Sequence, residues 1–367
     1  MNEDKKTVAI LFGGRSTEHE VSLKSAWGIL NHMNRRKYRA VLIKISRHGR
    51  WMFLGDIEKY SGVEDLEKAE GPIAVTGDPH FKGFMVLDGA VQKPLKVDVV
   101  FPVLHGRHGE DGTVQGLMSL AGLPCVGAGV LASALGMDKI MMKQMFFQND
   151  IRAVDFMWFL RKDWESRQKR KEIQEGIARE IGYPCFVKPA NTGSSVGIFK
   201  VHEEDELADC VAESVVFDRK ILVEKAVDAR ELECAVLGND EPRASVVGEI
   251  IPANEFYDYE AKYYDDRSRI VIPAKVDASV SEAVRLMAVR VFKVLDCAGM
   301  GRVDFLLDRK SGGLYVNEIN TLPGFTPISM YPKLWEATGI SFEALIDRLL
   351  ELAFERQADL AGSRSVR

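Results

Sequence analysis

A chain of 367 residues is long for a single hydrophobic core, and its 46% hydrophobic and 28% charged residues are an ordinary globular balance, so two or three domains are expected. The formal net charge of −5 argues against a nucleic-acid footprint, which needs a basic excess. No apolar run reaches the length of a bilayer span, and the N-terminus enters a strand pattern with no small-residue cleavage site, so neither membrane insertion nor a secretory signal is expected.

In chain order, KTVAILFGG (6–14) is a strand ending in a glycine turn, and STEHEVSLKSAWGIL (16–30) is a helix whose Thr17 and Glu20 have capping-box spacing. Residues 51–94 match no sharp pattern and have the character of a variable insertion. VDVVFPVLHG (97–106) is a second fully apolar strand. It leads into a polar loop, a short helix and a further glycine turn up to Gly127. Strands that are apolar throughout and alternate with helices indicate a parallel sheet covered on both faces, which makes residues 1–128 a βα domain.

The second unit, 129–227, mixes strands and helices. SALGMDKIMMKQMFFQ (133–148) is helical, IRAVDFMWFL (151–160) a strand, and 162–181 a heavily charged helix. The basic cluster Arg167–Lys171 lies among Glu165, Glu172 and Glu175 and reads as a solvated helix face. CFVKPA (185–190) and KILVEKAV (220–227) are strands bracketing the loop NTGSSVG (191–197) and a helix near 205–216. The third unit, 228–367, holds strands ARELECAVLG (229–238) and RASVVGEII (243–251). A polar aromatic loop (254–268), the helix SVSEAVRLMAVRVFKVL (279–295), a hairpin and a C-terminal helix from Phe342 to about Arg356 follow. The five cysteines (Cys125, Cys185, Cys210, Cys234, Cys297) are scattered and contain no CxxC, so zinc and a disulfide framework are not expected and a reducing cytoplasm is.

The hairpin RVDFLLDRKSGGLYVNEIN (302–320) carries the most chemistry. Side chains two apart on a strand share a face. If Ser311-Gly312-Gly313 closes the hairpin, a register with Asp304 opposite Glu318 also places Arg302 opposite Asn320. Two carboxylates that close repel unless a cation lies between them, and hard oxygen donors supplemented by phosphates suit Mg²⁺. The loop VKPANTGSSVG (187–197) joins glycines to Lys188, a pattern compatible with phosphate, although GxGxxG and the P-loop are both absent. Glu224 at a strand end suits an adenine amino group, Glu231 suits ribose hydroxyls, and Lys139 adds a second cation. Together these describe a nucleoside triphosphate site.

GGRSTEHEVSL (13–23), HGRHGEDGTVQG (105–116), GMDK (136–139), VKPANTGSSVG (187–197), EFYDYEAKYY (255–264), GRVDF (301–305) and NEINTLPGFTPISMYPKL (317–334) make the chain similar to the D-alanine–D-alanine ligases of the ATP-grasp superfamily. The resemblance spans most of the chain and implies an α/β and α+β ATP-grasp architecture: a parallel βα domain (1–128), a central subdomain (129–227) and a C-terminal subdomain (228–367), the last two clamping ATP. It implies ATP-dependent joining of two D-alanines through an acyl phosphate for cell-wall precursor. Asp304, Glu318 and Asn320 would then hold two Mg²⁺ or Mn²⁺ ions. Lys139 and Lys188 would meet phosphate, Glu224 and Lys225 adenine, and Glu231 ribose, with Ser194, Ser195, Lys262, Asn317 and Glu318 also at ATP. Glu18 and His105 would receive the first D-alanine, while Lys262, Ser329 and Met330 would lie at the second. Arg302 and the Gly324 N–H would form an oxyanion hole, with Ser194 and Tyr263 linked to Glu18. Tyr263 favours an amine nucleophile. Only small-molecule partners are implied, with no nucleic acid and no membrane, in a cytoplasmic homodimer. Other acceptors (D-serine or D-lactate), a catalytically silent nucleotide-binding module and, third, a dinucleotide-dependent dehydrogenase suggested by the strand–glycine start are the competing readings, although Gly13-Gly14 lacks the later glycine of that fingerprint.

Overall fold

The computed structural model describes residues 5–68, 71–88, 91–251 and 269–362. The aromatic loop expected at 254–268, with Lys262 and Tyr263, lies outside the described residues.

Among the described residues, three sheets organise the chain. In the first, β1 (Lys6–Gly13) lies between β2 (Tyr38–Ile45) and β7 (Val99–Leu104), parallel to both. These strands are apolar on both faces because each face is covered. Val8, Ile10 and Phe12 meet Leu23, Ala26, Ile29 and Leu30 of α1 (His19–His32). Ala9 and Leu11 meet Val114 and Met118 of α2 (Thr113–Leu120). The 51–94 segment, read from sequence as a patternless insertion, instead extends this sheet. It forms β3 (Trp51–Asp56), β4 (Gly71–Val75), β5 (Gly83–Asp88) and β6 (Val91–Lys96), giving the order β6-β5-β4-β3-β2-β1-β7. These strands are short and add on antiparallel, and among the described residues only two short 3₁₀ turns (Ile57–Lys59 and Val63–Glu67) interrupt them, so they carry no long apolar run and no α-helix.

The expected capping box does not form. Helix α1 starts at His19 with Glu18 as its N-cap, and Glu20 pairs with Arg47. The segment 133–148 is also two helices, α3 (Val130–Met137) and α4 (Lys139–Gln148). They divide at Asp138, whose carboxylate caps α4 by accepting from the Ile140 and Met141 N–H groups. The charged helix breaks at extended Ser166 into α5 (Arg161–Glu165) and α6 (Arg167–Gly176).

The second sheet is built from β8 (Phe156–Leu160), β9 (Cys185–Pro189), β10 (Phe199–Val201) and β11 (Lys220–Lys225), in the order β10-β9-β11-β8. Alternation sends Cys185, Val187, Ile221 and Val223 into a core with α7 (Leu207–Ser214). Lys188, Leu222 and Glu224 consequently lie on the opposite face, where Leu222 packs with Ile140 of α4.

The third sheet comprises β12 (Ala229–Gly238), β13 (Arg243–Ile251), β14 (Arg269–Val271), β15 (Gly299–Asp308) and β16 (Leu314–Asn320), in the order β14-β13-β12-β15-β16. Leu232, Cys234, Val303, Phe305 and Ile319 pack beneath α8 (Ala278–Val294). The last described elements are α9 (Met330–Ala337) and α10 (Phe342–Gly362), the latter longer than the sequence expectation. Phe325, Tyr331, Trp335, Leu345 and Leu349 share one core with α1 and β1, so the first and last parts of the chain are welded together.

Gly28 marks that weld. A glycine inside a helix ordinarily costs roughly 0.5–1 kcal/mol against alanine. Here a Cβ would overlap the carbonyl oxygen of Phe325, a backbone atom that cannot turn aside. Gly28→Ala should therefore destabilise the protein, with a lowered midpoint in thermal and urea unfolding, although its helix propensity rises. A raised midpoint would show that the 322–329 segment yields easily.

Candidate active site

Between α1, the β9–β10 loop and the site face of the third sheet lies a cavity of about 510 Å³. Its floor is the β15–β16 hairpin, in which Arg302 faces Asn320 and Asp304 faces Glu318, the register expected from the position of the Ser311–Gly313 turn. A β-bulge after this pair leaves Asn317 as the extra residue. Strict alternation would put Val316 on the face of Glu318. The bulge instead sends Val316 and Ile319 into the core beneath α8 while Glu318 lines the cavity.

Arg302 organises the floor. Its Nε and Nη2 each donate to Asp304 at 2.7 Å, and its Nε lies 2.9 Å from Glu233 Oε2. Glu233 comes from β12, directly across from Asp304. Burial works against the guanidinium's charge, but Asp304 and then Glu233 outweigh it and hold its pKa well above the ordinary value. Asn320 Oδ1 accepts from the Leu322 N–H at 3.0 Å, which leads the chain into the 322–329 segment.

Glu18 enters from the start of α1, where it is 7% exposed, and the Ser194 hydroxyl donates to it. Its carboxylate lies against Gly106 and Gly193, each of whose Cβ positions would be 3.0 Å from Oε2, so glycine permits the close approach of both loops. Ser194 and Ser195 themselves have φ of 50° and 58°, a left-handed conformation costing roughly 1–3 kcal/mol for a residue with a Cβ. His105 at the end of β7 donates from Nδ1 to the Leu322 carbonyl at 3.2 Å. In that tautomer its Nε2, 3.3 Å away, accepts from the Ser25 hydroxyl, which itself accepts from the Phe325 N–H at 3.2 Å. Gly324 lines the cavity beside Ser329, whose Oγ accepts from the Thr326 N–H at 3.0 Å, and Met330 opens α9.

Lys139 joins loop to floor. Its Nζ donates to the Thr192 carbonyl at 2.8 Å and lies 3.4 Å from Glu318. Lys188 and Glu224, assigned from sequence to opposite ends of a nucleotide, are ion-paired with each other. Neither lines the cavity, nor do Ser195, Lys225, Glu231, Asn317 or Asp304. Lys225 is exposed and Glu231 half-buried on β12. Burial alone would raise the Glu224 carboxyl, but Lys143 and Lys188 hold it at about 2.

Sequence reasoning missed two members. Lys143 is one helical turn beyond Lys139 and reaches Glu224, a spacing legible in KIMMK. Glu233 is two residues beyond Glu231, so it shares that face, but only sheet order shows that Asp304 lies opposite. His19, Glu20 and Glu67 also bring possible metal donors together. Lys44 and Arg47 already neutralise those carboxylates, and His19 Nδ1 is engaged by the Gly14 carbonyl.

Residues 7–128 match the family model of the D-ala D-ala ligase N-terminus, and residues 145–351 that of the D-ala D-ala ligase C-terminus. The D-alanine–D-alanine ligase of Heliobacterium modesticaldum is 49% identical over 356 residues, covering 96% of this chain and 95% of the relative. The chain belongs to the D-alanine–D-alanine ligase family. The D-alanine–D-alanine ligase structure from Coxiella burnetii superposes with a TM-score of 0.84 at 35% identity, over 98% of this chain and 96% of that one. The VanG D-Ala:D-Ser ligase of Enterococcus faecalis gives 0.83 at 38% identity, over 95% of this chain and 100% of that one. These ligase neighbours share the ATP-grasp architecture expected from the sequence.

In this member of the ligase family Arg302 lies between Glu233 and Asp304 and is ion-paired with both. Arg302→Met should leave the buried Glu233 and partly buried Asp304 carboxylates facing each other and lower stability by about 3–5 kcal/mol. Urea unfolding checks this; a loss below about 1 kcal/mol would mean that another group neutralises the pair.

Proposed function

We propose that the chain joins two D-alanine molecules into D-alanyl-D-alanine, consuming ATP through an acyl phosphate and releasing ADP and phosphate, for peptidoglycan precursor synthesis. The observation that carries the reading is the meeting of Glu18, the Ser194 loop and the Arg302 and Glu318 side chains of the β15–β16 hairpin around one cavity, in a chain of this ligase family.

Glu18 and His105 receive the ammonium and carboxylate of the first D-alanine. Arg302, aimed from a fixed bidentate grip, and the Gly324 N–H stabilise the oxygen on which charge develops when the second amine attacks the acyl phosphate. Ser329, Met330 and Lys262 hold the second D-alanine, and Tyr263 with Ser194 ties the loops over the site, which keeps water from the acyl phosphate. Lys139 and Lys188 contact phosphate, with Ser194, Ser195, Lys262 and Asn317 nearby. Glu224 and the Lys225 backbone read adenine, and Glu231 the ribose.

Asp304, Glu318 and Asn320 supply hard oxygens, and each carboxylate oxygen keeps acceptor capacity beyond its internal hydrogen bond, so the set fits two Mg²⁺ or Mn²⁺ ions. Such ions would neutralise the phosphate charge that Lys139 and Arg302 leave uncompensated. Family membership supports a cytoplasmic homodimer as the working form. Among the described residues no helix is long and apolar enough to cross a membrane.

The similarity to a D-Ala:D-Ser ligase makes D-serine the acceptor to test against. Phosphate release from ATP and Mg²⁺ should proceed with D-alanine alone and gain little from added D-serine. No turnover with D-alanine alone would refute the assignment. Glu318→Gln should lower kcat by about a hundredfold or more even at saturating Mg²⁺; near-normal turnover would remove Glu318 from the metal set.

A further inference from the structure

Behind the Lys188–Glu224 pair lies a second ammonium with no place in the reading above. Lys143 Nζ is 3.1 Å from Glu224 Oε2, and the two side chains are 1% and 3% exposed. Lys188 sits on the other oxygen, Oε1, so Glu224 carries one lysine per oxygen. The two lysines are not equivalent. Lys188 is the more exposed and precedes the Ser194 loop on β9, whereas Lys143 projects from the buried face of α4.

A structural pin between α4 and β11 would be the plain use of Lys143, but that pin already exists. Lys220 of β11 is ion-paired with Asp138, the N-cap of α4. An ammonium buried this completely is costly, and a second tie between the same elements does not require one.

We propose that Lys143 is a positioning residue for nucleotide recognition: it holds Glu224 as an acceptor-only carboxylate and so favours an adenine over a guanine ring. The inference rests on the proposed assignment of Glu224 to the adenine amino group. When Lys188 turns to phosphate, Oε1 is released toward the base and Lys143 stays on Oε2 as the lasting countercharge. An ionised carboxylate accepts from the exocyclic amine of adenine and opposes the carbonyl at the same position of guanine. Without Lys143, Glu224 either takes a proton and becomes able to donate, or retains Lys188 and keeps it from phosphate. Both routes weaken ATP and relax the preference.

The test compares KM and kcat for ATP and for GTP, with D-alanine as the acceptor, in the unaltered protein, Lys143→Met, Lys143→Arg, Glu224→Gln and the Lys143→Met/Glu224→Gln double variant. Lys143→Met should raise KM for ATP about tenfold or more with kcat changed no more than about threefold, and narrow the ATP-to-GTP ratio. Lys143→Arg should retain most of the preference, and the double variant should be no worse than Glu224→Gln alone. Lys143→Gln repeats the comparison should the methionine variant fold poorly. The proposal is overturned if Glu224→Gln shifts KM and the ratio while Lys143→Met leaves both intact, or if the two losses multiply in the double variant. If neither substitution alters KM for ATP, the assignment of Glu224 to adenine falls, and the role of Lys143 with it.

Discussion

The guanidinium of Arg302, gripped between Glu233 and Asp304, permits the third sheet to bury charge on one face and apolar side chains on the other. Carboxylates opposite one another across β12 and β15 repel strongly once water is excluded, and a cation with a planar donor fork removes that penalty while fixing both side chains. Lysine could supply the charge but not the geometry. The same contact holds Arg302 at a fixed orientation, so in the proposed reaction it would meet developing charge without rearrangement.

Around that floor, cavity geometry depends on joining distant parts of the chain. Helix α1 packs on β1 with one side and on the Phe325–Trp335 region with the other, so the start of α1 is held relative to the hairpin. Glu18 thereby sits where the Ser194 loop can reach it, and His105 is tied through Ser25 to the Phe325 backbone. Glycines at 106 and 193 let two loops approach one carboxylate. The left-handed Ser194 and Ser195 show the loop held in a conformation that it adopts at some cost, as functional loops often do.

Cations in the site are distributed rather than pooled. Helix α4 presents Lys139 to Glu318 and, one turn later, Lys143 to Glu224. Phosphoryl and acyl transfer need charge placed in advance more than they need a reactive side chain. The cysteines fit that picture: burial pushes the Cys185, Cys234 and Cys297 thiols up to about 12, so they pack and do not react.

Much of this was legible in the sequence because it is local. Fully apolar β1 and β7 announce a covered parallel sheet, and the Ser311–Gly313 turn with two-residue spacing places Arg302, Asp304, Glu318 and Asn320 in one patch. Tertiary structure alone decided what depends on which strands become neighbours. The short antiparallel strands of 51–94 have too little periodicity to read until β2 offers an edge. The bulge at Asn317 redirects Val316 without any glycine to signal it. Glu233 becomes a partner of Asp304 only through the order β12-β15, and Lys188 meets Glu224 only because β9 and β11 pair antiparallel. Residue type and spacing set which face a side chain takes along its own element, a local matter of backbone period. Which charges end up sharing a buried space is set by sheet order and helix packing, interactions between segments far apart in the chain.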